Sequence, residues 1–181
     1  PLPGQWTSIP ATDFTEIRSM AVVPKQNKLL AGVFPNKDVS GLQILDLESN
    51  QWTAVPGIEN HIVPDIIQGD TRYYAIQFSN PENPGALWIS DDQGVTWEPG
   101  PVLPESVDPR CLVLTGDENA NILLGTVNNG IYISEDQGET WITPDTPPEN
   151  MRVQSFAADP ENNLHIIAGL SAGIAETQDG G

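Results

Sequence analysis

Apolar residues in this chain gather in short runs separated by Pro, Gly, Asn and Asp. No stretch places apolar residues at i, i+3, i+4 and i+7 over three turns, so no long helix is predicted. Runs such as Leu29-Leu30-Ala31-Gly32-Val33 and Asn121-Ile122-Leu123-Leu124-Gly125-Thr126-Val127 read as strands. With 16 Gly and 17 Pro to supply turns, the pattern predicts an all-β chain.

One pattern, S-x-D-x-G-x-T-W, occurs twice: Ser90, Asp92, Gly94, Thr96, Trp97 and again Ser134, Asp136, Gly138, Thr140, Trp141. Its residue types suit a hairpin turn that holds itself. Glycine adopts φ > 0 at no steric cost, and Asp accepts hydrogen bonds from amides of its own turn. The Ser and Thr hydroxyls tie the flanks, and the Trp leaves the turn to bury a large apolar surface. The flanking runs Ile131-Tyr132-Ile133 and Trp141-Ile142 are short strands, so the unit reads as a hairpin.

Tryptophan sets a longer beat. Trp6, Trp52, Trp97 and Trp141 follow one another at intervals of 46, 45 and 44 residues. Such a period predicts an internal repeat, with four strands per propeller blade. The blades fall at roughly 11–56, 60–101, 108–144 and 151–181, in a single domain covering 1–181. The first copy of the motif is degenerate, Asp46 to Trp52, and the last is partial, with Thr177, Asp179 and Gly181 in the Ser, Asp and Gly places. The spare strand Trp6-Thr7-Ser8-Ile9-Pro10 is expected to complete the last blade. Half of a larger ring, or half of a ring built by two chains, stands as the alternative to closure within one chain.

These units resemble the Asp-box, or bacterial-neuraminidase repeat, family of β-propellers across essentially the whole chain. The resemblance implies a propeller of four four-stranded blades, with the motif residues structural and on the blade periphery. It does not fix a function, because similar repeats serve sialidases, xyloglucan-degrading glycosidases, sortilin-type receptors and photosystem II assembly factors.

Charge narrows the field. The formal net charge of −18 repels a nucleic-acid backbone and an anionic membrane. No apolar run reaches membrane-spanning length, so membrane insertion is not expected. His61 and His165 have no partner at ligand spacing and no D-x-D-x-D-G loop occurs, so neither metal nor cofactor is expected. The lone Cys111, in an apolar run, reads as a small buried hydrophobe.

Two groups of residues are candidate binding elements. Arg18, Arg110 and Arg152 stand near the starts of first strands, which line the axis of a propeller. Converging guanidinium groups hold carboxylates well, as the Arg triad of sialidases does. The structural alternative is pairing with neighbouring acids. Tyr73, Tyr74 and Trp88 would form an aromatic platform for a sugar or peptide, or else pack between blades. No catalytic group is assembled in the sequence; any enzymatic role would be glycoside hydrolysis. The expected function is therefore a non-catalytic binding or scaffold propeller, extracellular or periplasmic, for a protein or carbohydrate partner. A sialidase or glycoside hydrolase fragment and an assembly factor like the photosystem II type remain alternatives, and a homodimer or larger assembly stays open.

Overall fold

The computed structural model describes residues 4–9, 16–36, 39–59, 61–116, 121–145 and 151–181. Fourteen strands and no helix occur among them. The first sheet runs β1 (Glu16–Val23), β2 (Lys28–Asn36), β3 (Val39–Asp46), β4 (Gln51–Ala54), and the second β5 (Asp65–Gln68), β6 (Tyr73–Gln77), β7 (Ala86–Ser90), β8 (Glu98–Pro99). The third sheet holds β9 (Pro109–Thr115), β10 (Asn121–Thr126) and β11 (Ile131–Ser134), and the fourth β12 (Val153–Asp159), β13 (Asn162–Leu170) and β14 (Gly173–Thr177). Every pairing is antiparallel between neighbours in sequence, as short loops rich in Gly and Asn favour.

The two middle sheets bury both faces, because successive side chains point opposite ways and both sets are apolar, whereas the first and fourth sheets bury one. Leu30, Leu42, Ala21 and Val23 of the first sheet meet Tyr73, Ala75 and Trp97 of the second. Ile76, Leu87 and Tyr74 of the second meet Leu112, Ile122 and Leu124 of the third. Cys111, Leu123 and Ile133 of the third meet Val153, Ile166 and Ala168 of the fourth. Four sheets thus share three apolar layers. Each fully buried aliphatic side chain, such as Leu30 or Ile122, adds about 1.5–3 kcal/mol.

The expectation of four complete blades needs correction at two places. In the third sheet the fourth strand shrinks to one bridge, Ile133 with Ile142. In the fourth sheet no outer strand is present among the described residues, and Gln5–Ile9 form no strand, with Trp6 fully exposed at 100%. The reason is geometric. First strands pack β1 on β5, β5 on β9 and β9 on β12, but no comparable contact returns from β12 to β1. The stack is an open fan, so the segment before β1 does not reach the β14 edge.

Motif glycines fasten each sheet to the one before it. Gly94 has φ +82° and lies where a Cβ would come within 2.7 Å of Leu30 on the preceding sheet. Gly138 has φ +99° and stands in the same relation to Leu87, again 2.7 Å. The glutamines before them, Gln93 and Gln137, are also left-handed, at φ 63° and 61°.

Gly138→Ala is expected to lower unfolding free energy by roughly 2–4 kcal/mol, from left-handed strain and overpacking together. Gln137→Gly, one residue away, is expected to change it by less than about 1 kcal/mol, since relief of strain offsets added chain entropy. Urea titrations of both variants check this; equal losses would show that the inter-sheet contact is not what matters.

Candidate functional site

The repeated turn is the most elaborate polar assembly among the described residues. Asp92 Oδ1 accepts from Ser90 Oγ (2.9 Å), Val95 N (3.1 Å) and Thr96 N (2.8 Å), while Oδ2 accepts from Thr96 Oγ1 (2.5 Å). Ser90 Oγ accepts from Gly94 N at 2.8 Å, and Trp97 Nε1 donates to Gly94 O at 3.0 Å. Asp136 repeats this with Ser134 Oγ (2.8 Å), Thr140 N (2.8 Å) and Thr140 Oγ1 (2.6 Å), and Gly138 N donates to Ser134 Oγ at 2.7 Å. In the last copy Thr177 Oγ1 donates to Asp179 at 2.6 Å and accepts from Gly181 N at 3.2 Å. The degenerate copy keeps the carboxylate: Asp46 Oδ1 accepts from Glu48 N, Ser49 N and Ser49 Oγ.

These donors hold the carboxyls below their ordinary range. For Asp136 the Thr140 hydroxyl does most, followed by the Thr140 amide. For Asp92 burial pushes upward, but the Thr96 hydroxyl and amide, with Ser90, outweigh it. Both carboxylate oxygens of Asp92 and of Asp136 are engaged within the turn.

The three arginines do not all occupy equivalent places. Arg18 is exposed, pairs with Glu16 at 2.9 Å and lies over the Phe34 ring at 5.0 Å. Arg110 is half-buried, and its Nε has no hydrogen-bond partner. Bulges explain why Arg152 differs. Gly32, Gly125 and Gly169 stand opposite Ser19, Cys111 and Ser155, so the residues just before those are Arg18, Arg110 and Gln154. Arg152 therefore lies two residues away from the place the sequence spacing assigns it, and is exposed.

The aromatic trio is divided as well. Tyr73 is 3% exposed and faces the first sheet, donating from its hydroxyl to Val22 O at 3.3 Å. Tyr74 is 2% exposed and faces the third sheet. Trp88 is half-buried, packs toward the first sheet, donates from Nε1 to Gln77 Oε1 at 3.1 Å, and meets the His61 ring at a 6.3 Å centroid distance. No shared platform forms from the three.

The structure brings forward residues that the sequence reading passed over. Arg72 donates from Nε to Asp91 at 2.6 Å and from Nη1 to Gln137 at 2.7 Å, joining the second and third turns. Asp65 takes the register place of Ser19, Cys111 and Ser155 near the axis. Its Oδ2 accepts from Leu112 N on the adjacent sheet at 2.8 Å, and Oδ1 accepts from Ile66 N at 2.9 Å. Burial raises this carboxyl to about 6 against the opposing pull of those two amides. Beside it, burial and then the Asp65 charge push the Cys111 thiol up to about 12, which keeps it protonated and inert. No group of His, Cys, Asp and Glu suited to a metal ion occurs among the described residues.

This arrangement of antiparallel sheets is that of the β-propeller fold. The extracellular domain of a putative hybrid two-component system from B. thetaiotaomicron matches 94% of this chain at TM-score 0.69 and 19% identity, over 22% of its own length. A GH74 xyloglucanase from Xanthomonas campestris matches 91% at TM-score 0.70 and 17% identity, over 28% of its length. YCF48 from Cyanidioschyzon merolae matches 97% at TM-score 0.69 and 14% identity, over 57% of its length. The chain thus spans less than two thirds of each of these structures. At such identities the likeness shows the fold. No protein-family model and no curated protein matches the chain.

Asp65 is expected to titrate near 6 by carbon-detected NMR, about two units above an ordinary Asp. A raised folded-state value means that its contribution to stability is full below pH 4 and is lost as pH rises through 6. Titration near 4 would show that the Leu112 and Ile66 amides, not burial, govern the group.

Proposed function

We propose that this chain is a non-catalytic binding propeller that recognises a protein segment outside the cytoplasm. The observation that carries this reading is an open groove of about 740 Å³ along the rim of the second sheet. Pro84, Pro101, Val102 and Leu103 give it an apolar floor, and Glu105 and Asp108 add acidic edges. Val102 is 91% exposed, an unusual position for a large aliphatic side chain without a partner. An extended segment with apolar residues beside a Lys or Arg matches both the shape and the charge. The net charge of −18 would speed the approach of such a basic segment. The displacement of Arg152 from the register place shared by Arg18 and Arg110 supports binding over sialidase-type chemistry, and the divided aromatics favour a protein over a glycan. The likeness to an extracellular domain accords with the location.

A second reading rests on Asp65. A carboxyl raised to about 6 near the propeller axis has the acidity of a general acid in glycoside hydrolysis. The likeness to a GH74 xyloglucanase lends that reading its substrate class.

Selection from a peptide display library is expected to enrich basic-apolar sequences. Val102→Asp should weaken their binding at least tenfold without altering the melting curve, since that side chain touches solvent. Release of sugar from xyloglucan or a sialoside by the wild-type chain, abolished in Asp65→Asn, would replace this reading with the glycosidase one.

A further inference from the structure

One titratable side chain between the first two sheets plays no part in either reading above. His61 lies on the connection between β4 and β5, and its Nδ1 is buried with no hydrogen-bond partner. Buried nitrogens of this kind are few in folded proteins and call for a reason. A neutral ring tolerates the place, because an unpaired polar atom costs far less than an unpaired charge. Burial accordingly pushes the His61 value down, against a smaller upward pull from the Glu59 charge. Glu59 sits on the same connection, where its carboxylate accepts from Gly57 N at 2.7 Å. Trp88 of β7, whose ring meets His61, and Gln77 of β6, bonded to Trp88, are both neutral. Neither offers a carboxylate to a second ring proton.

From that ring a chain of contacts runs to the groove of the second sheet. Trp88 Nε1 donates to Gln77 Oε1, and Gln77 Nε2 donates to Pro84 O, each at 3.1 Å. Gln77 is 3% exposed, so turning its amide gives up both bonds with little water to replace them. Pro84 belongs to the groove wall. A second path joins main chains: Phe78 N donates at 2.8 Å to the carbonyl of Ile62, the residue after His61. Phe78 and Pro84 lie on the connection between β6 and β7, which spans 78–85, against 127–130 and 171–172 in the third and fourth sheets. Asn80 Oδ1 stiffens the tip of this loop by accepting from Glu82 N at 2.9 Å and Asn83 N at 2.8 Å. At Gly85 the loop presses on the facing wall, where a Cβ would come within 2.6 Å of Pro109 and 2.7 Å of Val107 O. Trp88 also carries the groove on its other side. Its backbone pairs with Pro99, and Leu87 O beside it accepts from Gly100 N at 2.8 Å; Leu87, Pro99 and Gly100 all line the groove.

We propose that His61 gates this groove: when its ring takes a second proton it leaves Trp88, Gln77 loses its hold on Pro84, and the shifted wall releases a bound segment. The inference rests on the reading of the groove as the binding site and adds its regulation. Its direction follows from the ring. A lowered value favours the packed neutral ring above pH 6.5, the ordinary histidine value, and that packing is lost as pH falls through the lower folded-state value. Glu59 is exposed, so the charged ring finds a carboxylate on its own connection once it turns outward. The segment is thus held at neutral pH and released in mild acid. Asp65 titrates in a similar range, bonded instead to Leu112 and Ile66, and the test separates the two.

NMR of the 181-residue chain tests the gate without a ligand, so its failure and that of the groove are distinct. The His61 ring nitrogens, the Trp88 indole N–H and the Leu103 methyls are followed between about pH 8 and about pH 5. All are expected to move with one midpoint, below 6.5. His61→Phe keeps a ring against Trp88, and there the indole and methyl signals should lose that response, whereas Asp65→Asn should retain it. Gln77→Met should leave the indole following His61 but remove most of the methyl response. Leu103 methyls that stay still while His61 titrates overturn the proposal. So does a response that survives in His61→Phe, one undiminished in Gln77→Met, or a His61 midpoint at or above 6.5. Peptide binding indifferent to Val102→Asp would strike the groove reading, and the release of a segment with it, whatever these signals show.

Discussion

Stability here depends on the contact between one sheet and the next, because every sheet has at least one apolar face that only a neighbouring sheet covers. The motif turn serves that contact. Its individual hydrogen bonds are near the surface and add on the order of 1 kcal/mol each. Its indole removes about 150–250 Å² from water, worth about 4–6 kcal/mol at 25 cal/mol per Å². Burial therefore dominates, and the Asp92 and Asp136 networks matter for where they put Trp97, Trp141 and their glycines. A carboxylate that accepts from a hydroxyl and an amide of the same threonine fixes two successive left-handed residues. Only that backbone presses Gly94 flat against Leu30. Local polar geometry and long-range apolar packing are one device.

Much of this architecture was legible in the chain. Alternating apolar runs bounded by Gly, Pro and Asn placed β2, β6, β10 and β13 close to where they lie, and the tryptophan interval gave the repeat. What failed did so for identifiable reasons. Spacing counted from the motif could not register the bulge at Gln154, so Arg152 was assigned a place two residues from its own. The outer strand of the last sheet was inferred from the Trp beat alone, which carries no information on whether the fan closes. The adjacent tyrosines illustrate a rule already available: neighbours on a strand point to opposite faces, so Tyr73 and Tyr74 were bound to enter different layers. Asp65 gave no signal, since its importance comes from Leu112, a residue 47 positions away.

The acidic composition acquires a partly structural meaning. Asp46, Asp92, Asp136 and Asp179 are acceptors at the centres of turns, and all four are held below their ordinary range by those donors. A depressed value means stability that is present above pH 4 and lost as pH falls through it. Asp65 runs the other way, being raised. One carboxyl near the axis thus favours mild acid while four on the rim oppose strong acid. The two tendencies meet near pH 4, which is where this group of residues places its greatest joint stability.

An open fan must also avoid stacking indiscriminately on its neighbours. Ile174 is 75% exposed on β14, and Met20 and Val22 are each 60% exposed on β1. Bare apolar ends of this kind invite aggregation. On the last sheet the remedy is visible beside Ile174: His165 lies between Asp159 and Glu176, at 3.4 and 3.0 Å, and sets charge into the same surface. Over the whole chain the excess of acids gives every approaching copy the same sign. Repulsion of this kind acts at all orientations. A surface that repels broadly lets exposed apolar side chains such as Ile174 and Met20 persist in water without collapsing onto those of another copy.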